Sequence, residues 1–256
     1  MKNLSVFAII SFVLIISCEK ETLKCCSCIE AESVSDKYIF PIRPGMEEWK
    51  ELNSHQAMVE VCQIPKEILN TMCTIGLVDT YLDYPILFTI FAFNNINEGL
   101  SQAVSEFNGF GQLLQKKDCA TKFLSRYEPI NPANIDPSWT SIEKGRFMQT
   151  LRIMEVTLAF DPMGRNLTKE ERKKLIEIGM EKLKIKEMHD YSGPSQITNL
   201  YLIGNILKLD GYQPFLDFLQ RRNDIKAFLK GDLNSLYYVA DGDTIKKYVE
   251  SFLKQH

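Results

Sequence analysis

Histidine is scarce in this chain of 256 residues: there are three, His55, His189 and His256. That leaves little material for a multi-histidine metal site or a set of acid–base relays, so neither metal nor cofactor is expected. Tryptophan is scarcer still, with Trp49 and Trp139 alone. Neither sign of charge dominates, since 30 Lys and Arg face 33 Asp and Glu for a net charge of -3. The clustered basic excess of a nucleic-acid surface is therefore missing. So are GxxxxGK[ST] and GxGxxG phosphate loops, a GxSxG elbow and an HExxH zinc helix, which removes the common signatures of nucleotide, α/β-hydrolase and metalloprotease chemistry. The most apolar run, residues 4–17, falls short of the roughly 20 residues a helix needs to cross a bilayer.

What is present is ordinary globular material, 45% hydrophobic and 25% charged, enough for one sizeable core or two smaller ones. From about Asp36 the apolar residues recur at helical spacing, and period-two alternation is rare. Leu100, Ala103, Val104 and Phe107 form one stripe; Ala120, Phe123, Leu124 and Tyr127 a second; Leu200, Ile203, Gly204 and Leu207 a third; Ile245, Tyr248, Val249 and Phe252 a fourth. Each stripe needs a neighbour to cover it. Pro65 reads as a helix opening, Thr74, Asp118 and Asp243 as N-caps, Thr168 with Glu171 as a capping box, and Gly211 and Gly231 as helix ends. The longest helices are predicted near 141–160 and 168–188. Residues 237–239, Tyr-Tyr-Val, form the one tempting strand. The expected fold is all-α and multi-helical, built of packed helical hairpins.

A faint echo supports hairpins. Residues 114–124 read LQKKDCATKFL and residues 219–229 read LQRRNDIKAFL, each preceded by a glycine turn and an aromatic. The echo suggests a short array of the HEAT or armadillo kind, with two convergent hairpins as the alternative. Residues 129–139 hold Pro129, Pro132 and Pro137 and read as a linker or long ordered loop between two halves, 36–128 and 140–256.

The N-terminus has a different grammar. Met1-Lys2-Asn3 precedes the apolar run, as in a secretory signal peptide. Ile15-Ile16-Ser17 then lead into Cys18. This resembles the lipobox of bacterial lipoproteins, which implies lipidation at Cys18, removal of residues 1–17 and an anchor of two or more acyl chains. Residues 18–35 are charged and small, and read as a tether. Cys25, Cys26 and Cys28 within it read as unstructured or adventitiously oxidised thiols, with a disulfide or a metal site as alternatives; no second paired spacing completes a zinc site. Cys62, Cys73 and Cys119 sit among apolar residues and read as core side chains.

The stretch 84–124 is similar to an uncharacterised Bacteroides-type family of envelope lipoproteins. The residues that carry the resemblance are Tyr84-Pro85, Phe93-Asn94-Asn95, Glu98-Gly99 and Phe107-Asn108-Gly109. It implies an outer-membrane address by lipid anchor, at the periplasmic face or the cell surface, and it carries over no catalytic residue.

His189, Asp190 and Ser192 lie too close in sequence to form a catalytic triad, which is assembled from separate elements; a helix-end histidine is the simpler reading. Tyr81, Tyr84, Phe88, Phe91 and Phe93 read as core, with a ligand groove as the alternative. Trp49, Trp139 and His189 are the candidate ligand-contact residues. The readings of function are then a non-enzymatic module binding a protein or glycan partner at the envelope, a structural or assembly subunit of an envelope complex, and an envelope hydrolase with an unrecognised site.

Overall fold

A computed structural model describes residues 36–189, 191, 193–236 and 242–255. Cys18, Cys25, Cys26, Cys28, Asp190, Ser192 and residues 237–239 lie outside the described residues. The fold is all-α, with no strand among the described residues. Seven helices come first: α1 (Glu47–Lys50), α2 (His55–Val61), α3 (Lys66–Leu69), α4 (Thr74–Leu82), α5 (Ile96–Glu106), α6 (Asn108–Leu114) and α7 (Cys119–Tyr127). A 3-10 segment, Leu87–Ala92, lies between α4 and α5. After the proline-rich loop come α8 (Ser141–Ala159), α9 (Asp161–Gly164), α10 (Lys169–Met188), α11 (Gly193–Asp210), α12 (Gln213–Gln220), α13 (Asn223–Leu229) and α14 (Gly242–Gln255).

Local chemistry sets the long helices. At the start of α8, Thr140 accepts from the Glu143 amide at 3.3 Å while Glu143 accepts from the Thr140 amide at 2.7 Å. At the start of α10, Thr168 and Glu171 exchange the same pair of bonds at 3.1 and 2.9 Å. Each box satisfies two amides that a helix start leaves orphaned. Gly211 and Gly231 adopt φ +79 and +110, the left-handed region in which glycine ends a helix without a Cβ clash.

The fold is centred on α11. It packs on α8 and on α10, and α13 and α14 add further cover. Ile197, Leu200, Tyr201, Leu202, Ile203, Ile206 and Leu207 are all buried, as are the polar Ser195, Thr198, Asn199 and Asn205, so the helix is covered around most of its circumference. The other stripes are buried as expected: Phe123 and Leu124 on α7, Phe228 and Leu229 on α13, and Ile245, Val249 and Phe252 on α14. The echoed segments are indeed two helix–turn–helix pairs, α6–α7 and α12–α13. Helices α4, α6 and α7 pack together, and α7 and α4 rest on α8. Aromatic contacts knit this region: Tyr84 stacks on Phe107 at 4.2 Å and Tyr81 lies against Phe110 at 4.2 Å.

A buried polar knot joins the three long helices. Lys186 of α10 donates to Glu155 of α8 at 2.6 Å and to the Ser195 carbonyl of α11 at 2.9 Å. Thr198 of α11 donates to the other Glu155 oxygen. Tyr127 donates to Glu155 at 3.2 Å, and Asn199 reaches both Tyr127 and the Gly179 carbonyl. Both charged side chains are wholly buried. Burial holds the Lys186 ammonium below its usual range, with Glu155 opposing that shift, and pushes the Tyr127 phenol well up.

Several details differ from expectation. Cys73, not Thr74, caps α4: its sulfur accepts from the Gly76 amide, and it is half-buried rather than core. Thr74 instead donates to Asp118 at 2.7 Å, so Asp118 makes no side-chain cap bond to α7. Helix α14 is already under way at Asp243, because it begins at Gly242. Phe88 and Phe93 are exposed at 59% and 41%, outside the core to which Tyr81 and Tyr84 belong. The 129–139 segment is irregular but tied down: Lys182 donates to the Glu128 and Ile130 carbonyls, and Tyr191 to that of Pro132.

The packing of α5 on the 3-10 segment is set by one glycine. A methyl at Gly99 would fall 2.2 Å from the Ile90 carbonyl oxygen, a backbone atom that has no rotamer to move. Gly99→Ala would gain about 1 kcal/mol of helix propensity but incur an overpacking cost of about 1–3 kcal/mol. The variant is expected to be less stable in urea denaturation; a more stable one would contradict the close approach.

Candidate functional site

A polar cleft of about 320 Å³ opens where α5, the α8–α9 junction, α11 and the end of α13 meet. Its chemistry comes from Asn97, Asp161, Tyr201, Asn205, Lys208 and Lys230, with the largely buried Phe160 and Leu229 beside them. These groups come from positions as far apart as 97 and 230, and one backbone junction gathers them. The Ile96 amide donates to the Gly231 carbonyl at 2.9 Å. Asn95 and Asn97 both donate their side-chain amides to the Lys230 carbonyl, at 3.0 and 2.9 Å. Gly231 is required there twice over: its φ is +110, and a Cβ would meet Asn95 Oδ1 at 2.2 Å.

The α11 wall is equally organised. Tyr201 donates its hydroxyl to Asn97 Oδ1 at 3.0 Å. Burial pushes this phenol up to about 12, so it stays a neutral donor. Asn205, 4% exposed, donates to the Tyr201 carbonyl at 3.1 Å and accepts from Lys208 Nζ at 2.9 Å. Lys208 is half-buried, and burial lowers its ammonium from the usual range. Asp161 acts against that shift, while Lys230 and Arg165 add to it. Asp161 itself is paired with Arg165 at 2.5 Å. The cleft therefore carries a positive balance, and its deepest cation is hydrogen-bonded to a neutral amide.

A smaller cavity of about 120 Å³ lies on the other side of the Asn95–Gly231 junction, bordered by Phe91, Phe93, Arg152, Pro194 and Ile197. There the Arg152 guanidinium stands over the Phe91 ring at 4.5 Å.

The residues singled out from sequence lie elsewhere. Trp49 is half-buried on α1 against the core, and Trp139 packs on Phe147 at 5.5 Å. His189 is exposed, caps the C-terminus of α10 and stacks on Tyr191 at 5.9 Å. None of the three lines the cleft. No cluster of three or more metal-ligating side chains occurs among the described residues. Four residues of the 84–124 stretch have structural work: Asn95 caps α5, Gly99 admits Ile90, Tyr84 stacks on Phe107, and Asn108 exchanges bonds with the Ile64 backbone. No protein family, curated protein or solved structure matches the chain.

Asn97 is the pivot of the cleft, since it serves both walls. Asn97→Ala leaves the buried Tyr201 hydroxyl without its acceptor, a loss of about 1–3 kcal/mol. Thermal and urea denaturation should both register a destabilisation of that order. An unchanged midpoint would mean the two walls are held together by other contacts.

Proposed function

We propose that this chain is a lipid-anchored protein of a bacterial envelope whose helical body acts as a binding module. The cleft is the observation that carries the binding half of this reading. It offers amides, a neutral phenol and ammonium groups on a rigid three-helix frame, which suits recognition of a polar solute by hydrogen bonds and charge. The anchoring half rests on Lys2, the apolar run 4–17 and Ile15-Ile16-Ser17-Cys18. No helix among the described residues is long and apolar enough to cross a membrane. Acyl chains on Cys18 would supply the attachment, at about 0.8 kcal/mol for each buried methylene. The polar tether, residues 18–35, would hold the body off the bilayer surface.

Fatty-acid labelling followed by membrane fractionation tests the anchor. Cys18→Ala is expected to take up no label, whereas a Cys25, Cys26 and Cys28 triple serine variant should label and fractionate like the unaltered protein. Undiminished label in Cys18→Ala would place the anchor elsewhere and overturn the proposed location.

A further inference from the structure

We propose that the cleft at Asn97, Tyr201, Asn205, Lys208 and Lys230 binds a small hydroxylated organic anion, a sugar acid or sugar phosphate of monosaccharide size. The inference rests on reading the helical body as a binding module and names what it binds. Charge is the first argument. Lys208 is half-buried, and among the described residues the one hydrogen bond its ammonium makes is to the neutral Asn205 amide. An ammonium has three donors, so two remain to be satisfied. Lys230 lines the same cleft without an ion-pair partner among the described residues. Asp161, the carboxylate that lines the same cleft, is engaged by Arg165 at 2.5 Å. A half-desolvated cation beside two like charges is unfavourable on its own. A carboxylate or phosphate seated between Lys208 and Lys230 would relieve it, since lysine binds such groups as a point charge.

The second argument is the lining opposite the cations. The exposed Asp161 carboxylate offers an acceptor to ligand hydroxyls, and the half-buried Asn97 amide, which holds the buried Tyr201 hydroxyl, stands on the α5 side. At about 320 Å³ the cleft is at the small end of ligand sites, which suits a monosaccharide-sized ligand. An uncharged sugar would leave the lysines uncompensated.

The test uses the purified full-length protein in a zwitterionic, sugar-free detergent, with isothermal titration calorimetry at matched ionic strength. The probes are glucuronate, glucose 6-phosphate, glucose and inorganic phosphate. At least one of the two sugar anions should bind ten-fold or more tightly than both glucose and phosphate; which one does so separates the carboxylate from the phosphate source. Lys208→Met, which keeps the apolar stem, should weaken that binding at least ten-fold, and the exposed Lys230→Met should weaken it too without lowering the melting temperature. Lys169→Met, on the exposed start of α10, should bind like the unaltered protein. Equal binding of glucose, absence of binding by both sugar anions, or unchanged affinity in Lys230→Met would each overturn the proposal. Loss of sugar binding with Cys18 labelling intact would remove this ligand and leave the anchor standing.

Discussion

The three long helices α8, α10 and α11 meet at one buried ion pair, Glu155 with Lys186. Transferring both charges from water costs several kcal/mol per ion, and their attraction repays this only when the remaining polar atoms are also satisfied. Here much of that satisfaction is supplied by the neighbouring elements. Glu155 receives Lys186, Thr198 and Tyr127, and Lys186 also meets the Ser195 carbonyl. Sliding α10 or α11 by one residue would strand a charge in the core. Leucine and isoleucine alone, which pack acceptably in several registers, impose no such penalty. The pair thus selects one alignment of α8, α10 and α11 from the several that the apolar surface permits.

The cleft inherits that alignment. Thr198 is fixed to Glu155; Tyr201 and Asn205 stand about one and two turns further along α11. Just past the end of α8, at its junction with α9, Phe160 and Asp161 follow Glu155 closely along the chain. The same contacts that settle the core therefore aim both walls at each other. On the far side, the Asn95, Asn97 and Gly231 junction holds the Lys230 backbone to the start of α5. A frame of this kind would keep the proposed site preformed, which lowers the ordering cost of taking up a ligand.

Much of the helical plan was legible because amphipathic stripes and caps are local signals. The 141–160 and 168–188 predictions differ from Ser141–Ala159 and Lys169–Met188 by a residue at an end. The true extent of α11 was hidden for the opposite reason: a helix buried on all sides has no polar face to give it a period. The α8 capping box at Thr140 and Glu143 has the same residue pattern as that at Thr168 and Glu171 and was open to the same reading. Glu155, Asn199 and Asn205 each interrupt an apolar run, which is the signal by which a buried polar group announces itself. Lys186 and Lys208 gave no such signal, because a lysine near a helix end normally lies in solvent beside the dipole. The cleft as a set was not legible at all. Its members are brought together by tertiary packing, and no spacing in the chain encodes that. Trp49, Trp139 and His189 were chosen by residue type, and the fold uses the first two in packing and the third at a helix end.

The central claim is that the buried pair sets the register of the three long helices, and a double-mutant cycle on it is the most direct measurement. Glu155→Leu and Lys186→Met should each destabilise the protein by about 3–5 kcal/mol in urea denaturation, because each leaves an uncompensated buried charge. The double variant should recover most of that loss, giving a coupling energy of several kcal/mol. Single variants near neutrality, or a double variant whose cost equals the sum of the two, would show that Glu155 and Lys186 are not coupled and that the register is set by the apolar packing alone.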